Sequence, residues 1–285
     1  MSVPLGVARA NTVGRPGHPG QLVATDLGTV HALVRGDGPA LVLLHGVTAS
    51  AAVWDETAAA FAREATVHAL DLAGHGLSDI PSEPWDIARM ADGVAAYLDA
   101  AGIRCAVVCG WSLGGGVALG LAARWPERVA SLVLLGSIGL PFPKPATISA
   151  LRCPGAVEAA AWLSGFPTLR ARMARSLFHR GYTPGDDWLE RYWSPFRVAG
   201  RGPYLRALLG YLDGGEPAPW LPGIRVRAHV VHGDADAVVP LSVGQGLSRC
   251  LSDASLYVLG RTGHTPHVER PAETAAVLRD ALAGR

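Results

Sequence analysis

Residues 107–116 read Val-Val-Cys-Gly-Trp-Ser-Leu-Gly-Gly-Gly. A β-branched run stops at Gly110. From Leu113 onward apolar residues recur at helical spacing, at Leu113, Val117, Leu121 and Ala122. The change of period predicts a strand that turns sharply into a helix, with Ser112 at the corner. So tight a turn has no room for side chains two residues to either side. Glycine stands at both places, Gly110 and Gly114. The first N–H groups of the helix would point at any anion formed beside the Ser112 hydroxyl. The competing reading is a plain helix entry capped by a serine.

The same rhythm continues on both sides of this corner. Strand-like runs occupy 30–34, 40–45, 65–71, 105–110, 129–136, 227–232 and 255–259, and helix-like runs occupy 51–63, 87–101, 113–125 and 272–283. Gly102 and Pro126 punctuate two of the helix ends. The alternation implies an α/β fold, a mostly parallel sheet flanked by helices. Residues 138–222 break the rhythm. They hold no convincing strand, and their helix-like pieces, at 156–163, 168–179 and 203–212, are split by Pro and Gly. This stretch carries 12 of the 19 aromatic residues and a formal charge of +4, against −3 for the remainder. We read 138–222 as a helical insertion, with 1–137 and 223–285 as two parts of one core. Most of Trp162, Phe166, Trp188, Tyr192, Trp193 and Phe196 are expected to pack the insertion together, with a few lining a pocket. The excess of arginine is more simply a solvated surface than a site for an anionic substrate.

Composition excludes several classes. A chain of 285 residues buries roughly 75% of its unfolded surface and needs no metal or disulfide staple. A net charge of +1 gives no electrostatic case for nucleic acid or a membrane surface. Cys105, Cys109, Cys153 and Cys250 lack metal-ligand spacing and are expected to stay reduced, which suits the cytoplasm. Residues 1–20 are rich in Gly and Pro without a continuous apolar run, so no signal peptide is expected. No stretch reaches the length of a membrane span. No cofactor motif is present, because the glycine-rich stretch lacks the Lys-Ser/Thr of a phosphate loop. Composition leaves a homo-oligomer open.

A serine hydroxyl is a weak nucleophile near neutral pH and needs a base, which in turn needs an orienting acid. On a parallel sheet both belong in loops beyond the carboxyl ends of strands. After the strand at 227–232 comes Gly233-Asp234-Ala235-Asp236-Ala237-Val238-Val239-Pro240. After the strand at 255–259 comes Gly260-Arg261-Thr262-Gly263-His264-Thr265-Pro266-His267. Each loop offers two candidates, Asp234 or Asp236 and His264 or His267.

Five stretches together resemble the α/β-hydrolase fold superfamily, in its serine-nucleophile branch with a helical cap. They are His45-Gly46 with Trp54 downstream, Asp71-Leu72-Ala73-Gly74-His75-Gly76-Leu77-Ser78, Gly110-Trp111-Ser112-Leu113-Gly114-Gly115, Gly233-Asp234-Ala235-Asp236 through Pro240, and Gly263-His264 through Pro271. The resemblance implies Ser112 as nucleophile, His264 as the base that follows the glycine, and Asp236 as the acid three residues before Val239. It implies backbone N–H groups of Val47 and Leu113 as an oxyanion hole, each such donor typically worth about 10²–10³ in turnover. His45, His75 and Asp71 are expected to brace loops. Some relatives place the acid after the preceding strand, but here that position reads Gly136-Ser137-Ile138 and has no carboxylate. For Trp111, packing under the turn and facing the substrate both stay open.

The implied chemistry is acyl transfer to water, from a small to medium carboxylic ester or lactone. Relatives that hydrolyse carbon–carbon bonds in ring-cleavage diketones usually carry a bulky aromatic after the histidine, where this chain has Thr265. A biosynthetic acyl transferase or cyclase would use the same three residues. A ligand-binding member without turnover would need none of them.

Overall fold

The computed structural model describes residues 20–83, 85–143, 149–150, 153–193 and 217–284. The eight strands of its single sheet are β1 (Gln21–Thr25), β2 (Gly28–Arg35), β3 (Ala40–Leu44), β4 (Thr66–Leu70), β5 (Ala106–Trp111), β6 (Val129–Leu135), β7 (Ala228–Gly233) and β8 (Ala254–Leu259). They lie in the order β1-β2-β4-β3-β5-β6-β7-β8. Pairing is antiparallel at β1/β2 and β2/β4 and parallel from β4 to β8. The central strands are buried along their length, as in Ala106-Val107-Val108-Cys109-Gly110-Trp111. Such unbroken apolar runs are what a parallel sheet covered on both faces demands.

Helices α1 (Asp55–Phe61), α2 (Ile87–Ala100) and α3 (Leu113–Arg124) follow the first half of the sheet. The expected helix at 51–63 is a 3-10 turn at Ala51–Trp54, capped by Ser50, running into α1. In α2 the Asp86 side chain accepts the Arg89 N–H and starts the helix, while Gly102, at φ 69°, follows its end. Between β6 and β7 the described residues form α4 (Ala156–Leu163), α5 (Pro167–Met173), a 3-10 turn (Ala174–Leu177) and α6 (Asp186–Trp193), with no strand among them. The helix-like piece at 168–179 is therefore split in two and ends earlier. The piece at 203–212, like Phe196, lies outside the described residues. Trp188, Tyr192 and Trp193 are buried, whereas Trp162 and Phe166 are exposed and pack edge to face on each other. The chain closes with α7 (Leu241–Cys250), the one-turn α8 (Pro266–Glu269) and α9 (Pro271–Ala283). All four cysteines are free thiols.

Strand order locates the site. From β3 the chain moves one way to β4 and then returns past β3 to β5. Loops leaving the carboxyl ends of β3 and β5 diverge there and open a crevice, the usual place for ligands in an open α/β sheet. Val47 follows β3 and Ser112 follows β5.

Candidate active site

Ser112 turns the corner from β5 into α3 at φ 55° and ψ −114°. Positive φ at a residue with a side chain costs about 1–3 kcal/mol and persists only where the surroundings enforce it. Here the Ser112 N–H donates to Leu135 O at 3.0 Å, and its carbonyl accepts from Gly115 N at 3.0 Å and Ile138 N at 3.3 Å. A Cβ on Gly110 would fall onto the Gly114 carbonyl, and one on Gly114 onto the Leu44 carbonyl, so both glycines are required by close backbone approach. The Ser112 side chain makes no capping bond to its helix, unlike a plain helix-entry serine.

Gly46 passes directly beside the corner, for a Cβ there would stand 3.3 Å from the Ser112 Cβ. The N–H groups of Val47 and of Leu113 find no acceptor among the described residues. His45 is committed to the backbone on both sides. Its Nδ1–H donates to Gly46 O at 2.7 Å and its Nε2 accepts from Leu72 N at 3.0 Å. Burial lowers its pKa, more than the Asp71 charge and the Gly46 carbonyl raise it, so the ring is neutral. Asp71 accepts from Ala51 N, Leu77 N and His31 Nδ1, tying the loops after β3 and β4 to β2. Thr48 is a second strained residue, at φ 66°. Its hydroxyl donates to Val47 O and also meets the Tyr192 hydroxyl of α6 at 3.1 Å.

The loops after β7 and β8 bring the acid and the base together. His264 Nδ1–H donates to Asp236 Oδ2 at 2.7 Å, with side chains 2% and 0% exposed. The other carboxylate oxygen of Asp236 accepts from Val238 N at 2.8 Å and Val239 N at 2.9 Å. Burial pushes the Asp236 pKa up. The charge and hydrogen bond of His264, with His232 and the Val239 N–H, outweigh it and hold the carboxyl below its usual range. Gly136, which follows the strand-end residue bonded to Ser112, has its Cβ direction 3.0 Å from His264 Nδ1 and 3.2 Å from Asp236 Oδ2. That places the pair beside the β5–β6 carboxyl ends. Asp234 is exposed and only accepts from Thr262 N. His267 is buried between the rings of Trp54 and Trp111, away from any carboxylate contact, and burial with the nearby His264 charge lowers its pKa to about 3.

Three contributors were not legible as such. Trp111 Nε1–H donates to His264 O at 2.7 Å, so the residue before the serine packs under the site and holds the histidine loop. His232 Nε2–H donates to Val239 O at 2.9 Å and stands 3.4 Å from Asp236 Oδ2. Glu269 accepts from the loop around His264. No local periodicity distinguishes these three, because each acts through partners distant in sequence or concealed in a turn. From the β6–β7 insertion, Leu177 O accepts the His264 N–H at 2.7 Å and Tyr192 packs 6.3 Å from Trp111.

Elsewhere, a cavity opens at the β1–β2 edge, lined by Thr29, Asp79, Trp85 and Met90. It includes none of Ser112, Asp236 and His264, and its Asp79 carboxylate is occupied by Thr29 N. Among the described residues no cluster of three or more His, Cys, Asp or Glu is placed to hold a metal. No helix among them is long and apolar enough to cross a membrane.

Comparison with known proteins agrees with the fold. The chain is 30% identical over 261 residues to 2-hydroxymuconate semialdehyde hydrolase of Pseudomonas putida, covering 87% of this chain and 89% of that one. It is 32% identical over 249 residues to pimeloyl-[acyl-carrier protein] methyl ester esterase of Neisseria meningitidis serogroup B, covering 85% and 92%. The solved 2-hydroxy-6-oxo-6-phenylhexa-2,4-dienoate hydrolase of Rhodococcus sp. strain RHA1 superposes with a TM-score of 0.80 at 26% identity, over 93% of this chain and 98% of that one. The family model described as the alpha/beta hydrolase fold matches residues 39–271. With that match laid over strands β3 to β8, the chain belongs to the α/β-hydrolase fold family.

Proposed function

We propose that this hydrolase cleaves a small to medium carboxylic ester or lactone through an acyl-enzyme on Ser112. The observation that carries the reading is the buried His264–Asp236 hydrogen bond, formed beside a serine held at positive φ. In the proposed cycle His264 takes the Ser112 proton as the oxygen attacks the carbonyl carbon. Asp236 keeps Nδ1 protonated, so Nε2 is the free base, and it offsets the charge of the imidazolium that forms. The Val47 and Leu113 N–H groups receive the oxyanion, their lack of an acceptor among the described residues leaving them available. His264 then protonates the leaving oxygen, and water, activated by the same ring, releases the acid. The β6–β7 insertion acts as a cap, with Tyr192 on the wall above Trp111.

The test is hydrolysis of short p-nitrophenyl esters and of lactones, with Ser112 labelling by a fluorophosphonate. We expect turnover and labelling in the wild type and neither in Ser112→Ala. A wild type with no ester or lactone turnover and no label overturns the reading.

Carbon–carbon bond hydrolysis is the second reading, favoured by the similarity to 2-hydroxymuconate semialdehyde hydrolase. Against it stands Thr265 after the histidine, whose hydroxyl is engaged by Glu269 Oε1 at 3.0 Å. Cleavage of a vinylogous 1,5-diketone at a rate above that of any ester would replace the first reading with this one. An acyl acceptor other than water would appear in the product analysis as an ester, amide or ring.

A further inference from the structure

We propose that Glu269 is a positioning residue that locks the base loop to the β6–β7 insertion, so that the insertion sets the geometry of His264 as well as covering the site. The inference rests on the reading of His264 as the base for Ser112.

Glu269 ends the one-turn helix α8 and is 5% exposed. A buried carboxylate is tolerable only if donors surround it. Its donors come from two separate places. Oε1 accepts from Gly263 N at 2.9 Å and from the Thr265 hydroxyl at 3.0 Å, the two residues that flank His264. Oε2 accepts from His179 N at 2.7 Å, in the insertion. The same stretch of insertion is joined to the base directly, His264 N donating to Leu177 O at 2.7 Å. One turn on, the Tyr182 hydroxyl donates to Val268 O at 2.9 Å.

The approach is close enough to dictate a residue. A Cβ on Gly263 would stand 2.6 Å from His179 N and 2.6 Å from the Phe178 carbonyl carbon, so the glycine before the base is what admits the insertion backbone. From Phe178 the contact continues outward: Phe178 packs on Trp188, Trp188 stacks on Tyr192, and Tyr192 reaches Thr48 beside Val47. Displacement of the insertion at 177–179 would therefore move the backbone on either side of the imidazole. A carboxylate is required because two N–H groups and a hydroxyl converge on it from different sides. In glutamine one of the two oxygens becomes an NH₂ that faces an N–H donor.

The experiment measures kcat and KM on a p-nitrophenyl ester for wild type, Glu269→Gln and the exposed control Glu273→Gln. Rates are divided by the number of Ser112 sites that a fluorophosphonate titrates to completion. Amide exchange is followed at residues 179 and 263 in parallel. We expect Glu269→Gln to lower kcat per site by about 10- to 100-fold with KM within about threefold, the scale of a base displaced by a fraction of an ångström to an ångström. We expect its amides at 179 and 263 to lose protection together, and Glu273→Gln to match the wild type. An unchanged kcat per site, or unchanged protection at both amides, overturns the inference. A variant that fails to fold is replaced by Thr265→Val, which removes one of the three donors. A drop of a few-fold in its kcat per site then supports the inference, and none overturns it. A wild type that never labels at Ser112 defeats the serine-hydrolase reading itself, an outcome distinct from a labelled enzyme indifferent to Glu269.

Discussion

The indole N–H of Trp111 donates to the carbonyl oxygen of His264 across 2.7 Å, a bond between residues 153 apart in sequence. The residue that precedes the candidate nucleophile thereby fixes the height of the loop that carries the candidate base. The rings are also packed, with centroids 5.6 Å apart. Trp111→Phe keeps a ring and deletes the donor. A net hydrogen bond is worth about 1 kcal/mol, so kcat should fall about 5- to 10-fold while the protein remains folded. Steady-state kinetics normalised to titrated serine sites checks this, and an unchanged kcat would assign Trp111 to packing alone.

Asp236 and Asp234 stand two residues apart in one loop and differ in every physical respect. Asp236 is buried on His264, whereas Asp234 is exposed and caps only Thr262 N. Asp236→Asn should leave the fold intact and lower kcat by about 10³- to 10⁴-fold, since the amide no longer selects the tautomer with a free Nε2. Asp234→Asn should stay within about twofold of wild type. Equal losses in the two variants would remove Asp236 from its proposed place.

Why the loop of Asp236 was legible and the bond of Trp111 was not is a matter of distance along the chain. Strands β3 to β7 announce themselves because burial demands nearly unbroken apolar runs, and β8, half-buried at the opposite edge, by its run Leu256-Tyr257-Val258-Leu259; together they locate the loop that holds Asp234 and Asp236, between which the resemblance chooses. The serine corner is legible for a different reason. Gly110 is forced by the Gly114 carbonyl within the turn and Gly114 by the Leu44 carbonyl of β3, but both glycines stand in one short stretch of sequence. Strand β1 was missed because Gln21–Thr25 is short, mostly half-buried and set at the sheet edge, where apolar patterning weakens. Helix α7 was missed because Gly244 and Gly246 interrupt its propensity. Gly244 is there to pass His232, to whose Nδ1 a Cβ would come within 2.6 Å. The bonds Trp111–His264 and Glu269–His179 depend on segments that meet only after the sheet is assembled, while those of His232 lie inside its own loop, where no periodicity marks them.

The two histidines of the last loop give a sharper contrast than the two aspartates. His264 donates to a carboxylate, while His267 lies between Trp54 and Trp111 at centroid distances of 4.4 and 5.1 Å. Its pKa, lowered to about 3 by burial and by the His264 charge, leaves it uncharged wherever the enzyme would work. His267→Phe should therefore preserve kcat within about fivefold, whereas His264→Ala should cost about 10³-fold or more. If His267→Phe proved as inactive as His264→Ala, His267 would have to touch the reaction.

The same buried ring makes a prediction about acid stability. In the unfolded chain His267 titrates near 6.5, and in the folded protein near 3. Because the folded pKa is the lower one, between those values the unfolded state binds the extra proton. The contribution is fully present above pH 6.5 and is lost as pH falls toward 3. His68, held at about 4 by burial, adds to the slope in the same direction. Asp236 and Asp71, whose carboxyls are held below their usual range despite burial, give up their contribution only at still lower pH. Unfolding midpoints in urea should therefore drop steeply between pH 6.5 and 4, before those carboxylates begin to protonate. Replacing His267 by Phe removes one titrating group and fills an apolar site between two indoles. By linkage, that variant should lose about 3 kcal/mol less than wild type over this interval. Parallel stability curves for the two proteins would mean that the ring takes up its proton in the fold as readily as in the unfolded chain.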